Sequence, residues 1–136
     1  MISKKLIRDY LESEIKNIPA LSNIPVFKKR RINLDDDTNQ FVSLFFVQAR
    51  VDVSGMEEET TTASIEIRIN SCLPGDDDIL DDLSDPIAES FGRNSCLNGL
   101  AEDFRLASWS YGDDEDSAFS YFSMIYNINV AENIES

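Results

Sequence analysis

Four runs of consecutive acidic residues are the groups in this sequence with the clearest capacity for chemistry. They lie at residues 35–37, 57–59, 76–78 and 113–116. Clustered carboxylates can ligate a divalent cation or, when two of them have different environments, act as general acid and base. Both uses need carboxylates that converge from rigid elements, whereas neighbours in a run point apart and stay solvated. The spacing therefore favours solvated turns and helix starts over a metal or catalytic site.

Other catalytic and metal-binding signatures are absent from the sequence. The chain has no histidine, which removes the commonest general base and proton shuttle. It has no glycine-rich phosphate or dinucleotide motif and no G-x-S-x-G motif. Its two cysteines cannot form an ordinary zinc site without histidine, and GDDDILDDLSD places Ile and Leu where an EF-hand needs ligands. We therefore expect no catalytic residues, no metal site, no cofactor and no enzymatic activity.

The net charge of −14 is unevenly distributed. Residues 1–31 hold eight Lys or Arg against three acids, a net charge of +5. Residues 32–136 hold four Arg against 23 acids, a net charge of −19. One interpretation is a soluble protein with solvated loops; the other is a molecule whose oppositely charged ends orient a partner or a second copy. Nucleic-acid binding by the whole domain is disfavoured, because such affinity depends on cations that neutralise phosphates.

The length of 136 residues fits a single domain, residues 1–136, of a size that buries roughly 68% of its unfolded surface. The sequence shows no transmembrane span and no secretory signal, because charged residues interrupt its first apolar stretch. A reducing cytosol then predicts that Cys72 and Cys96 are buried thiols rather than a disulfide. Residues 20–40 are expected to form a basic connector that includes at most a short edge strand, and residues 131–136 a flexible tail.

Apolar periodicity predicts two helices. The first covers residues 4–17, with Ser3 as its N-cap. The second begins at the third acidic run, where the carboxylates meet the positive end of the helix dipole, and its apolar residues recur at steps of four. Pro86 is expected to kink this helix or to restart it, with Ser84 or Asp85 as the new cap.

Two hairpins account for the strands. Residues 61–70 alternate between apolar and polar side chains after the Glu-rich turn, while residues 41–53 before it are apolar on both faces in their middle and alternate in their second half. Residues 104–111 and 117–130 form the second hairpin, with the last acidic run at its tip. The predicted fold class is therefore α+β: a mixed or antiparallel sheet of about four long strands in two hairpins, with two main helices packed on one face.

The last strand is apolar on both of its faces. Phe119, Tyr121 and Ile125 lie opposite the side chains that should form the core. Two helices cover only one face of a sheet, and monomers rarely expose contiguous apolar patches above a few hundred Å². Strands of this length also reach ~45 Å, beyond the usual range. We therefore expect the second face to contact a neighbouring subunit, unless the connector covers it.

The whole order of elements resembles the tail terminator family of long-tailed phages, the minor tail protein U type. The resemblance covers residues 3–131: the opening helix, then FVSLFFVQARVDV, the Glu-rich turn and TTASIEIRINSCLPG. It continues through DDDILDDLSDPIAESF and LNGLAEDFRLASWSYGDDEDSAFSYFSMIYNINV. The closing hairpin, with its acidic turn and its final alternation of Tyr and Ile, is the most similar part.

The resemblance implies a structural role in the virion. Such proteins form a six-membered ring on the head-proximal end of a completed tail tube, stop its polymerisation and present a surface to the head-completion, or connector, proteins. The partners implied are further copies of the chain, the tail tube protein and the connector protein, with synthesis in the host cytoplasm. Genome DNA would only pass through the lumen, and no membrane is involved. Two alternatives stay open: another phage neck or tail-completion protein, and an acidic DNA mimic or inhibitor.

Charge and apolar exposure together select candidate interface residues for such an assembly. They are Lys28, Lys29, Arg30, Arg31, Glu57, Glu58, Glu59, Asp113, Asp114, Phe119, Tyr121 and Ile125.

Overall fold

The computed structural model describes residues 3–29, 32–35, 37–54, 58–73, 76–115 and 117–133. Within these residues the chain forms two α-helices, five strands and two single 3₁₀ turns. The elements in chain order are α1 (Lys4–Lys16), a 3₁₀ turn (Pro19–Leu21), β1 (Val26–Phe27), β2 (Gln40–Ser54), β3 (Glu58–Ser71), α2 (Asp76–Gly92), a 3₁₀ turn (Leu97–Gly99), β4 (Asp103–Asp113) and β5 (Ser120–Asn133).

The strands form one sheet in the order β1-β2-β3-β5-β4. The two predicted hairpins, β2–β3 and β4–β5, are confirmed, and β3 joins them by pairing antiparallel to β5. The expected number of about four strands was one too few, because β1 pairs parallel with β2 through Val26 and Phe27. A two-residue strand is too short to show a period of two in the sequence.

The core lies between the sheet and both helices. From α1, Ile7, Leu11 and Ile15 are buried, and α2 contributes its own apolar stripe to the same cluster. The sheet contributes alternate residues of each long strand, such as Ile65, Ile67 and Ile69 of β3. Each such side chain contributes roughly 1.5–3 kcal/mol on burial. In the described residues no helix is both long and apolar enough to cross a membrane.

The acidic helix α2 does not restart at Pro86. It runs from Asp76 to Gly92 with Pro86 inside it, so the prediction of a new cap was wrong. The Ser84 hydroxyl donates 3.5 Å to the Asp81 carbonyl and therefore caps nothing. Buried Leu83, Ile87 and Phe91 lie on both sides of the proline, and their packing holds the helix together across the missing hydrogen bond.

Two β-bulges, one in β2 and one in β4, determine which residues of these strands face the helices. The register shifts between Phe46 and Gln48 in β2 and between Leu106 and Ser108 in β4. A bulge adds one residue to its strand, so the alternation of faces changes phase there. In β4, Leu106 lies opposite Tyr126 and Trp109 lies opposite Met124, which puts both of these β4 side chains on the helix side.

Local details at Ser3 and the cysteines differ from expectation. Ser3 is the N-cap of α1, but among the described residues its hydroxyl makes no capping hydrogen bond. Both cysteines are free, as expected, yet Cys72 is only half-buried and Cys96 is exposed. Neither lies on the inner stripe of an element: Cys72 follows the end of β3, and Cys96 directly precedes a 3₁₀ turn.

Candidate assembly interface

An exposed aromatic surface lies at the β4 edge of the sheet, on the side that carries the helices. Leu106, Trp109 and Tyr111 face this side but remain 41%, 58% and 40% exposed. Together with α2 they enclose a groove of about 270 Å³. We call it the aromatic groove, lined by Asp81, Ser84, Asp85, Ala88, Leu106, Trp109, Tyr111, Phe122 and Met124.

The rings in the aromatic groove are held against one another and against α2. The Trp109 and Phe122 ring centroids lie 5.5 Å apart, and those of Tyr111 and Phe122 lie 4.8 Å apart. The Tyr111 hydroxyl donates a 2.5 Å hydrogen bond to Asp81 Oδ1. This bond, with desolvation and the charges of neighbouring aspartates, raises the pKa of Tyr111 to about 12. The hydrogen bond from Tyr111 to Asp81 therefore fixes one wall of the groove.

The surroundings of the groove are negatively charged. The sequence of α2 contains seven acids and no Lys or Arg. Asp81 and Asp85 line the groove itself, while Asp82 lies on the solvent side of the same helix. Since α2 packs on β3, β5 and β4, this charge is concentrated at the β4 side of the sheet. We call this side, with the groove, the acidic edge.

The opposite side of the molecule carries a small group of exposed cations. α1 packs on β1 and β2 and brings Lys4, Lys5 and Arg8 to the β1 side of the sheet. Lys4 and Lys5 are exposed, and Leu6 beside them is 55% exposed despite its apolar side chain. We call this first turn of α1, residues 3–6, together with exposed Lys29, the basic edge.

Two of the predicted basic interface residues fall in the described part of the chain. Lys28 donates 2.5 Å to Asp9 Oδ1 and lies 3.2 Å from Glu12 Oε1, so α1 already neutralises it. Its hydrogen bond to Asp9 raises the pKa of Lys28 and lowers that of Asp9. Lys29 is exposed. Arg30 and Arg31 lie outside the described residues.

The acidic tips serve as turns and strand ends. Glu58 begins β3 and is exposed, Glu59 is half-buried beside it, and Glu57 lies outside the described residues. At the other tip, Asp113 accepts a 2.7 Å hydrogen bond from the Ser120 hydroxyl. Asp114 accepts one of 3.0 Å from Ser117. Across the described ranges, no group of three or more His, Cys, Asp or Glu is placed to hold a metal ion.

The second face of the sheet carries Phe119, Tyr121 and Ile125 among polar and charged side chains. The guanidinium of Arg68 lies 4.2 Å from the centre of the Tyr121 ring, and Arg68 Nε lies 2.6 Å from Glu66 Oε2. Phe119 packs edge-on against Phe41, with ring centroids 5.3 Å apart. Ile125 is half-buried. The chain thus covers much of this face with its own polar and aromatic side chains.

Sequence reasoning missed the aromatic groove. A partial signal lies in FRLASWSY, where the only tryptophan of the chain is on a predicted strand three residues after Leu106. A spacing of three puts two residues of a regular strand on opposite faces, and the bulge between Leu106 and Ser108 is what brings both to one face. The exposure of Leu106 and Trp109 depends on how much of the sheet α2 covers, and no local sequence pattern encodes the extent of this cover.

Comparison with known proteins places the chain in a family. The family model described as phage minor tail protein U matches residues 2–130. A solved chain described as "Virion of native gene transfer agent (GTA) particle" superposes with a TM-score of 0.61 at 9% identity, covering 93% of this chain and 95% of that chain. At this identity the likeness concerns the fold alone.

Other comparisons add little. A second solved chain matches with a TM-score of 0.42 at 12% identity, covering 100% of this chain and 99% of that chain. No curated protein sequence matches. The resemblance seen in the sequence is nevertheless confirmed by the family model, which spans most of the chain. The protein belongs to the phage minor tail protein U family and is a structural component of a phage tail.

Proposed function

We propose that this protein is a tail terminator. It assembles as a ring of six copies on the head-proximal end of the completed tail tube, stops tube growth and offers a surface for the head-completion protein. Membership of the minor tail protein U family supports this role. The observation that carries it in the structure is the presence of two unlike edges, one basic and one acidic with an aromatic groove, on opposite sides of one sheet.

A closed ring needs this kind of asymmetry. In a ring every subunit uses one surface to contact the next copy and a different surface to contact the previous one. A two-fold dimer would instead need a single self-complementary surface. Like charges would meet if two acidic edges or two basic edges came together, whereas a basic edge and an acidic edge attract. The charge pattern therefore favours head-to-tail contacts.

The role requires no catalysis. The exposed carboxylates of the acidic tips and of α2 are suited to a solvated surface, and in the proposed ring those facing the lumen repel DNA phosphates. The genome then passes through the ring without binding to it.

An acidic DNA mimic is the alternative from a different functional class, and the net charge of −14 favours it. A mimic should display carboxylates over one continuous surface and has no need to self-associate. The basic edge interrupts such a surface, because Lys4, Lys5 and Lys29 are all exposed. Another neck or tail-completion protein would share the ring but would bind a different partner.

Native mass spectrometry over a range of protein concentrations tests the proposal. We expect hexamers at high concentration, favoured by salt or Mg²⁺, because screening weakens repulsion between subunits of charge −14. A chain that remains monomeric at millimolar concentration in both conditions, and that fails to bind tail tubes, would rule out the terminator role. Assembly into hexamers that ignore tail tubes would favour another neck protein.

A further inference from the structure

We propose that the aromatic groove of one copy receives the basic edge of the next copy, with Leu6 entering the groove and Lys4 and Lys5 facing Asp81 and Asp85. This inference rests on the proposed ring and identifies its subunit contact. None of these residues was among the interface candidates predicted from charge runs and from the second face.

The groove has the features of an anchor site. Trp109 is the most exposed of its aromatic side chains at 58%, and it is the only tryptophan of the chain. Binding energy at protein interfaces concentrates in aromatic side chains that become desolvated near the centre of the contact. The bond from Tyr111 to Asp81 holds one wall in place before a partner arrives, which reduces the ordering needed on binding.

The edge strand beside the groove is also open. β4 is the last strand of the sheet, and within the described residues no strand pairs with its outer side. Natural proteins usually cover or interrupt such an edge, because its unpaired backbone groups recruit other chains. The acidic edge therefore combines an apolar pocket, an open strand and negative charge.

The first turn of α1 is an unusual place for Lys4 and Lys5. Positive charge is unfavourable near the positive end of a helix dipole, and this first turn contains no acid. Leu6 adds an exposed apolar side chain at the same turn. Lys5 lies near Asp9 of the same helix, so the fold accounts for part of its charge, while Lys4 and Leu6 are exposed. All three complement a groove that is apolar at its floor and acidic at its rim.

The positions of the two surfaces fit a ring. The basic edge lies on the β1 side of the sheet and the acidic edge on the β4 side, so one copy can contact two neighbours at once. In such a contact the apolar anchor supplies most of the affinity, while the charges mainly set orientation and association rate.

Paired charge reversal tests the contact. One variant carries Asp81→Lys and Asp85→Lys, and a second carries Lys4→Glu and Lys5→Glu. Each variant alone should raise the concentration needed for half-maximal hexamer formation at low salt by about tenfold or more, because like charges then meet at every contact. An equimolar mixture should assemble again as an alternating ring, since each contact then joins opposite charges.

The matched control is Asp78→Lys with Asp82→Lys, which makes the same charge change on exposed positions of α2 outside the groove. Its hexamers should form at least as well as those of the original chain, because the net negative charge falls. Circular dichroism and thermal melts check that each variant is folded. Because Asp81→Lys also removes the acceptor of the Tyr111 hydrogen bond, Tyr111→Phe is a second control, and it should still form hexamers. Failure of the mixture to assemble from folded variants, while Tyr111→Phe assembles, would overturn the proposed contact.

Trp109 emission supplies an independent readout. We expect a shift of the emission maximum to shorter wavelength when hexamers form, because the groove loses water. Hexamers that form without such a shift, and that tolerate both charge reversals, would overturn the groove contact while the ring itself stands. If the chain forms no hexamer under any of these conditions, both the groove contact and the proposed ring are wrong.

Discussion

At the scale of single residues, Tyr121 shows how closely the second face of the sheet is fitted. Its ring lies under the Arg68 guanidinium on one side and passes directly over Gly112 of the neighbouring strand. A Cβ added at Gly112 would lie 2.4 Å from the Tyr121 Cζ and Oη atoms. The Tyr121 ring can therefore occupy this position because Gly112 has no side chain.

Gly112→Ala should displace the ring tip and weaken the contact with Arg68. We expect a loss of ~0.5–1 kcal/mol in the free energy of unfolding, the usual contribution of an exposed cation–π pair. Gly92→Ala is the matched control, because among the described residues nothing lies within 4 Å of an added Cβ there. Urea denaturation measures both. Equal stability of the two variants would show that Tyr121 is not held in this position.

Tyrosines with raised pKa values should make the fold sensitive to alkaline pH. Burial raises the pKa of Tyr126 to about 12, and the hydrogen bond with Asp81 raises that of Tyr111 to about 12, both from an ordinary value of 10.0. The folded state then holds protons that the unfolded state releases above pH 10, so stability falls as the pH rises from 10 towards 12.

Thermal melts across this range measure the effect. Tyr126→Phe should reduce the alkaline loss while changing stability little at neutral pH, since its hydroxyl makes only a 3.9 Å contact with the Met124 sulfur. An unchanged alkaline slope in this variant would contradict the assignment of the loss to Tyr126.

At the scale of elements, Pro86 is expected to lower the stability of α2, because it lies inside the helix. A proline inside a helix removes one backbone hydrogen bond and clashes with the preceding turn, while it also stiffens the unfolded chain. Pro86→Ala should raise the free energy of unfolding by about 2 kcal/mol. Removing the proline restores a helix hydrogen bond and relieves a clash, which together contribute about 3 kcal/mol. The unfolded chain becomes more flexible, which offsets up to about 1 kcal/mol of this gain. A lower melting temperature would show instead that Pro86 shapes how α2 packs on the sheet.

The tip of the β4–β5 hairpin should tolerate loss of its charges. Asparagine keeps an oxygen that can accept the hydrogen bonds from Ser120 and Ser117, so Asp113→Asn with Asp114→Asn should change stability within about 0.5 kcal/mol. Melts of the original chain should also be the same with and without EDTA. A large drop in melting temperature on adding EDTA would reveal a bound metal ion.

At the scale of the whole molecule, the sequence predicted those elements whose apolar residues recur with the period of a strand or a helix. The alternation at Ile65, Ile67 and Ile69 indicated a half-buried strand, and the stripe of Ile7, Leu11 and Ile15 indicated a helix. Position in the sheet is set by contacts between segments distant in the chain, so the sequence allowed a short edge strand in residues 20–40 but could not give its residues or its parallel pairing with β2. The exposure of Trp109 depends in the same way on the relation of α2 to β4.

The interface candidates remain predictions for a related reason. A basic run indicates charge but not whether a neighbour in space already neutralises it, and Lys28 turned out to pair with Asp9 and Glu12 of α1. Likewise, the apolar character of Tyr121 was visible in the sequence, while its cover by Arg68 required the register of β3 with β5.

Electron microscopy of tail tubes is the measurement that tests the terminator role most directly. Tubes grown from the tube protein of the same phage are incubated with this chain and then supplied with more tube protein. A tail terminator should appear as six-fold density on one end of each tube, with no further growth from that end. Tubes that keep growing at both ends, with no added density at either, would contradict it.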